Sequence, residues 1–180
     1  MPNPYGSTAW SSPAESFGCV GSHWSQASRE MRFEMFEKIL YPTDFSDVSK
    51  KALDYIKQLK EGGAKEVVVL HVIDEREIES IHRASAYVSY EKEVDKIIEE
   101  NAKEQTRLIE AELNESGFDV KTRIEKGIPF RDILRVEEEE AVSVIVIGSH
   151  GKSNIEEMLL GSVSEKVIRK CKRPVLVIKR

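Results

Sequence analysis

Apolar residues from about position 36 onward follow two spacings that alternate along the chain. Short apolar runs at 36–42, 65–73, 142–147 and 174–179 are typical of β-strands, and residues 120–125 alternate polar and apolar positions like a further strand. Between these runs, apolar residues recur every three or four positions, which indicates helices with one buried face. The predicted order of elements is therefore βαβαβαβαβ.

The first predicted helix begins at polar cap residues from Ser46 and ends at Gly62-Gly63. The segment 75–116 is strongly charged and regularly helical from Glu91, whereas 78–90 is expected to be a loop or a separate short helix. The buried stripe of the first helix is expected to contain Val48, Ala52, Tyr55, Ile56 and Leu59. The apolar face of the second is expected to contain Val94, Ile97, Ile98, Ala102, Leu108, Ile109 and Leu113.

Two further features belong to the second half of the chain. Pro129 suits the first turn of a third helix, because a proline at that position loses no helical hydrogen bond. The acidic run Glu137–Glu140 in this helix is expected to be a solvated face.

Strands that alternate with helices predict a parallel sheet with helices on both faces. In such sheets, ligands bind at the carboxyl ends of strands, where the winding direction reverses. We therefore expect residues 41–44, after the first strand, to meet residues 148–151, after the fourth. The second strand ends at 71–74, and His71 is interpreted as a core histidine rather than a ligand.

Three glycines near the C-terminus carry the clearest chemical signal. They are spaced as Gly148-x2-Gly151-x9-Gly161-Ser162, between a predicted strand and a predicted helix. A helix N-terminus presents unpaired N–H groups and a partial positive charge, and glycine allows a ligand to approach the backbone closely. Phosphate suits this arrangement. The sequence GSHGKS imitates a P-loop, but that motif needs a glycine where Val146 lies inside the strand, so we reject a true P-loop.

Composition narrows the classes of function. The chain has 180 residues and a net charge of −5, which argues against nucleic acid as a partner. No apolar run approaches the roughly 20 residues of a membrane span. Two cysteines make a disulfide framework improbable and favour the cytoplasm. Candidate metal ligands do not show the spacing of a metal site.

Residues 1–34 differ from the rest in being rich in serine, glycine and proline without periodicity. This composition predicts a disordered tail or a translated extension upstream of the domain. A partner-binding arm that uses Trp10 and Trp24 is the alternative.

Several segments taken together resemble the universal stress protein family, in particular its ATP-binding branch. They are ILYPTDFS, VLHVIDERE, KGIP, VIGSHGKSN, LLGSVSEKVI and RPVLVIK, and the resemblance covers residues 35–180 as one domain. The glycine pattern is the mark of the ATP-binding branch. The resemblance implies a doubly wound, five-stranded parallel sheet with strand order 3-2-1-4-5.

The resemblance also implies roles for individual residues. Asp44 would accept hydrogen bonds from the ribose hydroxyls, and the backbone of Val72 would meet the adenine edge. Gly148 would let the ribose pack closely, and His150 would position phosphate, with general-base catalysis as a less favoured role. The full implied nucleotide site is Pro42, Thr43, Asp44, Val72, Gly148, His150, Gly151, Gly161, Ser162, Val163 and Ser164.

ATP with Mg²⁺ or Mn²⁺ is the implied ligand, and pairing through the last strand implies a homodimer. The favoured function is a nucleotide-dependent switch or sensor in the stress response. A slow ATPase or adenylate-transferring enzyme of the same fold class is the alternative, and a scaffold that binds an unidentified protein partner is a third hypothesis.

Overall fold

The computed structural model describes residues 36–84, 88–151 and 160–179. The predicted tail, residues 1–34, lies outside the described residues. In chain order the elements are β1 (Lys38–Pro42), α1 (Asp47–Glu61), β2 (Glu66–Asp74), α2 (Glu75–Ala84), α3 (Val88–Glu115), β3 (Asp119–Gly127), α4 (Pro129–Glu139), β4 (Val144–Gly148), α5 (Ser162–Lys170) and β5 (Val175–Ile178).

The strands form one sheet in the order β3-β2-β1-β4-β5, and every pairing is parallel. This confirms the predicted fold class and strand order. Both faces of the sheet are buried, which explains why the inner strands read as continuous apolar runs. Alternate residues of β1 belong to two different cores: Ile39 and Tyr41 to one, and Leu40 to the other.

The helices divide between these two cores. Ile56 of α1 and Leu113 of α3 pack on one face of the sheet. Ile133 of α4 and Val167 of α5 pack on the other. Within the described ranges, no helix combines the length and the apolar character that crossing a membrane requires.

Three residues of the predicted apolar stripes turn out to be exposed. Tyr55 is 40% exposed, Ile97 60% and Leu108 52%. Each adjoins an isoleucine, and consecutive residues of an α-helix point about 100° apart, so one of each pair turns away from the sheet. Ile56 and Ile109 are the buried partners at two of these positions. The prediction was wrong at these three positions because the apolar stripe of each helix is wider than the part of the helix that packs on the sheet.

The segment after β2 is the separate helix α2, one of the two expected alternatives for 78–90, although it begins earlier. The Asp74 carboxylate starts this helix by accepting a hydrogen bond from the Arg76 backbone N–H at 3.0 Å. Strand β3 is also longer than predicted, because it pairs with β2 from Asp119 to Gly127.

The acidic run 137–140 is only in part the solvated face that its composition suggested, because Glu138 and Glu139 are exposed whereas Glu137 and Glu140 are buried. Glu137 is 2% exposed, and its carboxylate accepts the backbone N–H groups of Lys172 and Arg173 at 2.8 and 2.7 Å. It therefore fixes the turn between α5 and β5. Burial of a carboxylate is tolerated here because hydrogen bonds replace its water.

Glu140 forms a second buried carboxylate site. It accepts hydrogen bonds from Lys121 at 2.7 Å, Arg123 at 3.0 Å and Lys38 at 3.3 Å. Lys121, with Lys38 and Arg123, lowers the pKa of Glu140 to about 2, although burial by itself would raise it. This one carboxylate thus joins β1 and β3 to the C-terminus of α4.

Replacing Glu140 with Gln should destabilise the protein in a pH-dependent manner. Because the folded pKa lies below the ordinary value of 4.5, the charge stabilises the fold above that value and loses its effect as pH falls toward 2. We expect Glu140→Gln to lower the free energy of unfolding by about 1–3 kcal/mol at pH 7, and by less than about half as much at pH 3. Urea denaturation at both pH values measures this.

The exposed Glu93→Gln on α3 is the matched control and should change the unfolding free energy by less than about 0.5 kcal/mol. An equal loss for Glu140→Gln at the two pH values would contradict a role based on charge.

Candidate functional site

The carboxyl ends of β1, β2 and β4 open into one cleft of about 440 Å³. The cleft exists because the chain adds β2 and β3 on one side of β1, and then β4 and β5 on the other side. The loops that follow β1 and β4 therefore lead away from each other and leave a gap between them. Every residue of the sequence-predicted nucleotide site lines this cleft, from Pro42 in β1 to Ser164 in α5.

The backbone of Val72 faces the cleft for a reason that the register makes plain. Strand β1 pairs with β2 as far as Pro42 opposite Leu70, and the Thr43 N–H then bonds the Leu70 carbonyl at 2.9 Å. In a strand, residues two apart direct their backbone groups to the same side, so Val72 directs its N–H and C=O toward the position where β1 has already ended. These groups therefore face the cleft beyond the end of β1.

The turn after β1 is held by the Thr43 hydroxyl. Thr43 is 6% exposed, and its Oγ1 accepts hydrogen bonds from the Ser49 hydroxyl at 2.8 Å and the Phe45 N–H at 3.1 Å. Tyr41, whose pKa burial raises, donates its own hydroxyl to the Ser49 carbonyl at 2.7 Å. Thr43 therefore supports the cleft wall by positioning the residues around it.

Asp44 projects from this turn with its two oxygens in different surroundings. Oδ1 accepts hydrogen bonds from the Ser46 N–H and hydroxyl at 3.1 and 2.7 Å, at the N-cap of α1. Oδ2 lies against Gly151, where an added Cβ would be 2.5 Å away. Asp44 thus spans the cleft from the β1 side to the turn after β4.

His71 is a buried histidine, as interpreted from the sequence. It is 8% exposed, its ring stacks on Phe45 at 4.2 Å, and its Nδ1 lies 2.8 Å from the Thr43 carbonyl. A carbonyl can only accept, so Nδ1 is the protonated nitrogen of this bond. His71 fixes the same turn that presents Asp44.

The opposite side of the cleft is the junction of β4 and α5. Gly161 is the N-cap of α5 and has no side chain with which to cap it, so the first-turn N–H groups carry the helix's partial positive charge toward the cleft. The exposed Ser162 hydroxyl lies beside them. The Ser164 hydroxyl instead donates to the Gly148 carbonyl at 2.7 Å and joins the helix to the strand.

The contact between Ser149 and His150 was not predicted from the sequence. The Ser149 hydroxyl lies 2.9 Å from the His150 Nδ1, and Ser149 is only 1% exposed. Neighbouring residues of an extended chain normally point apart, so adjacency alone does not predict the contact. The buried hydroxyl fixes the orientation of the imidazole at the cleft.

The part of the cleft lined by α2 and α3 was not predicted either. Ile78 and Ile81 of α2, with Ile98 and Ala102 of α3, line the cleft beyond Val72. The signal was the spacing of two isoleucines three positions apart, which was obscured by the irregular pattern of 78–90. Among the described residues, no group of three His, Cys, Asp or Glu side chains is placed to hold a metal ion.

The chain is matched by the model of the universal stress protein family over residues 35–179, and it belongs to that family. Universal stress protein MJ0577 of Methanocaldococcus jannaschii is 45% identical over 156 residues, covering 81% of this chain and 96% of its own. Universal stress protein YxiE of Bacillus subtilis is 36% identical over 148 residues, covering 81% and 100%.

Solved structures agree with this assignment. The structure of MJ0577 matches with a TM-score of 0.74 at 47% identity, over 81% of this chain and 97% of that one. A universal stress protein of Archaeoglobus fulgidus in complex with dAMP matches with a TM-score of 0.55 at 24% identity, over 81% and 99%, and shows the shared fold.

Gly148 packs closely against α1, so a larger residue there should affect stability even without a ligand. A Cβ there would lie 3.2 Å from Val48 Cγ1 and 3.4 Å from the Ser49 N, both in α1. We expect Gly148→Ala to push α1 away from β4 and to lower the free energy of unfolding by about 1–3 kcal/mol. Urea denaturation without ligand measures this, with Ser162→Ala as the control that should unfold like the wild type. An unchanged Gly148→Ala midpoint would show that α1 accommodates the methyl group.

Proposed function

We propose that this protein binds ATP and acts as a nucleotide-dependent switch or sensor in the stress response, in the cytoplasm. The observation that carries the proposal is a single cleft with two chemically different sides. One side combines glycine turns with the N-terminus of α5, and the other contains a group of apolar side chains, Ile78, Ile81, Ile98 and Ala102. A nucleotide has the matching halves, a charged phosphate chain and a flat, largely apolar base.

Each part of ATP has a proposed partner. The phosphates would bind the N–H groups at the start of α5, near Gly151, Gly161, Ser162 and Val163. The ribose hydroxyls would donate to the Asp44 carboxylate, a charge-assisted hydrogen bond. The adenine edge would meet the Val72 backbone, beyond the point where β1 ends.

A divalent cation would accompany the triphosphate. Mg²⁺ is usually held by substrate phosphates together with one or two carboxylates and several waters. Because Asp44 is assigned to the ribose, we propose that phosphate oxygens and water hold the cation here. Mn²⁺ would use the same oxygen ligands.

Binding without rapid hydrolysis is the favoured form of this function. His150 is the side chain of the cleft that most suggests proton transfer, and its Nδ1 is already engaged by the buried Ser149 hydroxyl. That contact holds the ring in one orientation, and we propose that the ring positions phosphate. We propose that the functional domain spans residues 35–180 and that residues 1–34 are an extension outside it.

ATP should stabilise the wild-type protein, and Gly161→Val should abolish that effect. A Cβ at Gly161 would lie 3.2 Å from the Ser149 carbonyl, so valine must displace the turn that faces the phosphates. At a concentration of ATP·Mg about 100 times the Kd, linkage predicts roughly 2.7 kcal/mol of stabilisation, a rise of several degrees in Tm. Thermal denaturation with and without ATP·Mg measures it.

Circular dichroism must show that Gly161→Val is folded, and Leu108→Val on the exposed side of α3 should keep the full ATP response. Identical melting of the wild type with and without ATP would overturn the proposal. Phosphate release by the wild type should equal that of Gly161→Val, whereas a higher rate would favour the slow ATPase.

We also propose a homodimer that pairs through β5. This strand is at the edge of the sheet, hydrogen-bonded to β4 on one side, and its Leu176 is 36% exposed. An apolar edge strand is a ready template for a second chain. We further propose that the dimer binds another protein, whose identity the sequence does not indicate.

Leu176→Lys should shift the protein toward monomer, because a charge at the centre of a paired apolar strand must be desolvated. Light scattering coupled to size-exclusion chromatography should give a dimer for the wild type and a smaller mass for the variant at equal concentration. Leu108→Lys, on α3 above β2 and β3, is the control and should stay dimeric. A monomeric wild type would contradict the proposal.

A further inference from the structure

A group of cations surrounds one aromatic ring on the face of the sheet that α4 and α5 cover. The Nζ atoms of Lys166 and Lys170 in α5 lie 5.1 and 5.5 Å from the centre of the Phe130 ring in α4. The guanidinium carbon of Arg131 lies 5.8 Å from the same centre. We term these four residues the Phe130 patch. Phe130 is half-buried and the three cationic side chains are exposed, so the patch belongs to the protein surface.

The acids nearest to the patch along the same two helices are engaged by other arginines. Asp132 pairs with Arg135 at 2.9 Å, and Glu165 pairs with Arg169 at 2.9 Å. Within the described ranges, no carboxylate forms an ion pair with any of the three patch cations. The patch therefore keeps its positive charge at the surface.

This clustering of like charges costs free energy in the protein alone. Lys166 and Lys170 are four residues apart, so α5 places two positive charges side by side, which destabilises a helix. The Phe130 ring offsets part of the repulsion, because the negative face of an aromatic ring attracts cations. The chain has more acids than bases, 32 against 27, and yet none of the described acids pairs with this group. A local violation of charge pairing of this kind is expected at functional sites.

The patch adjoins the nucleotide cleft without being part of it. Pro129, which precedes Phe130, lines the cleft, and so does Val163, which lies one turn before Lys166. The described lining of the cleft does not include the three cations. A molecule bound to the patch would therefore contact the two helices whose first turns face the proposed nucleotide.

We propose that the Phe130 patch is the docking surface for an acidic segment of the protein partner, in which closely spaced carboxylates bind the three cations. This inference rests on the proposal that the dimer binds another protein, and it adds the surface and the chemistry of that contact. Charge complementarity is the argument for it. Carboxylates would supply the anions that the patch lacks and would relieve the repulsion between Lys166 and Lys170.

The overall charge favours a protein segment over nucleic acid. The chain has a net charge of −5, so a long polyanion that tracks across its surface meets repulsion outside the patch. Nucleic-acid binding draws its affinity from many phosphate contacts along a groove or stripe. A short acidic segment needs only the few cations that surround Phe130.

Fluorescence anisotropy tests the proposal with the full chain, a labelled peptide of about eight glutamates and about 50 mM salt, without nucleotide. The wild type should bind the peptide, and added salt should weaken binding because exposed charges are screened. Lys166→Glu/Lys170→Glu should raise the Kd at least about tenfold. Lys50→Glu/Lys51→Glu on α1 is the matched control, since it changes the net charge equally at two exposed positions on the other face of the sheet. It should raise the Kd less than about threefold.

Circular dichroism must show that the variants are folded, and Lys166→Gln/Lys170→Gln replaces the charge reversal if that variant unfolds. It should raise the Kd at least about threefold. A wild type that does not bind the peptide overturns the inference. Equal weakening by the α5 and α1 variants also overturns it, because it would show attraction to net charge alone.

Nucleic acid provides the competing outcome. Tighter binding of a single-stranded DNA oligomer with the same number of negative charges would assign the patch to nucleic acid and overturn the inference. Each result is separate from the proposed functions. The thermal denaturation experiment tests ATP binding on its own, and peptide binding that the patch variants leave unchanged would still allow a protein partner at another surface.

Discussion

The early end of β1 is the constraint on which the rest of the site depends. Strand β1 has 5 residues and stops at Pro42, whereas its neighbour β2 has 9 and continues to Asp74. Proline supplies no backbone N–H, and the chain then turns away from the sheet into α1. The uncovered part of β2 becomes the floor of the cleft, and the reversal of winding at β1 places the β4 turn opposite it.

One buried hydrogen-bond cluster connects the core to this opening. Tyr41 belongs to the core, Thr43 receives the hydrogen bonds of the turn, and His71 reaches the turn from β2. Buried polar groups of this kind specify one geometry, because each unsatisfied group would cost free energy. The position of Asp44 is therefore decided by residues that do not contact a ligand themselves.

Acidic residues in this protein have two different roles. Glu137 and Glu140 are buried, and they bind backbone N–H groups or several cations that hold elements together. Asp44 is half-buried at the cleft, with one oxygen directed across it. The charge of a residue type does not separate these roles, since both depend on which groups the folded chain brings near.

Periodicity and glycine spacing alone predicted the alternation of strands and helices, the parallel sheet, and the meeting of residues 41–44 with 148–151. The strand order and the other residues of the predicted site came from the resemblance to the family. The packing of distant segments, by contrast, decided that Glu137 and Glu140 are buried, that Tyr55 and Leu108 are exposed, and that Ser149 orients His150. It also decided that α2 completes the cleft, because the burial of a helical side chain depends on what packs against it, and that partner comes from a distant part of the chain.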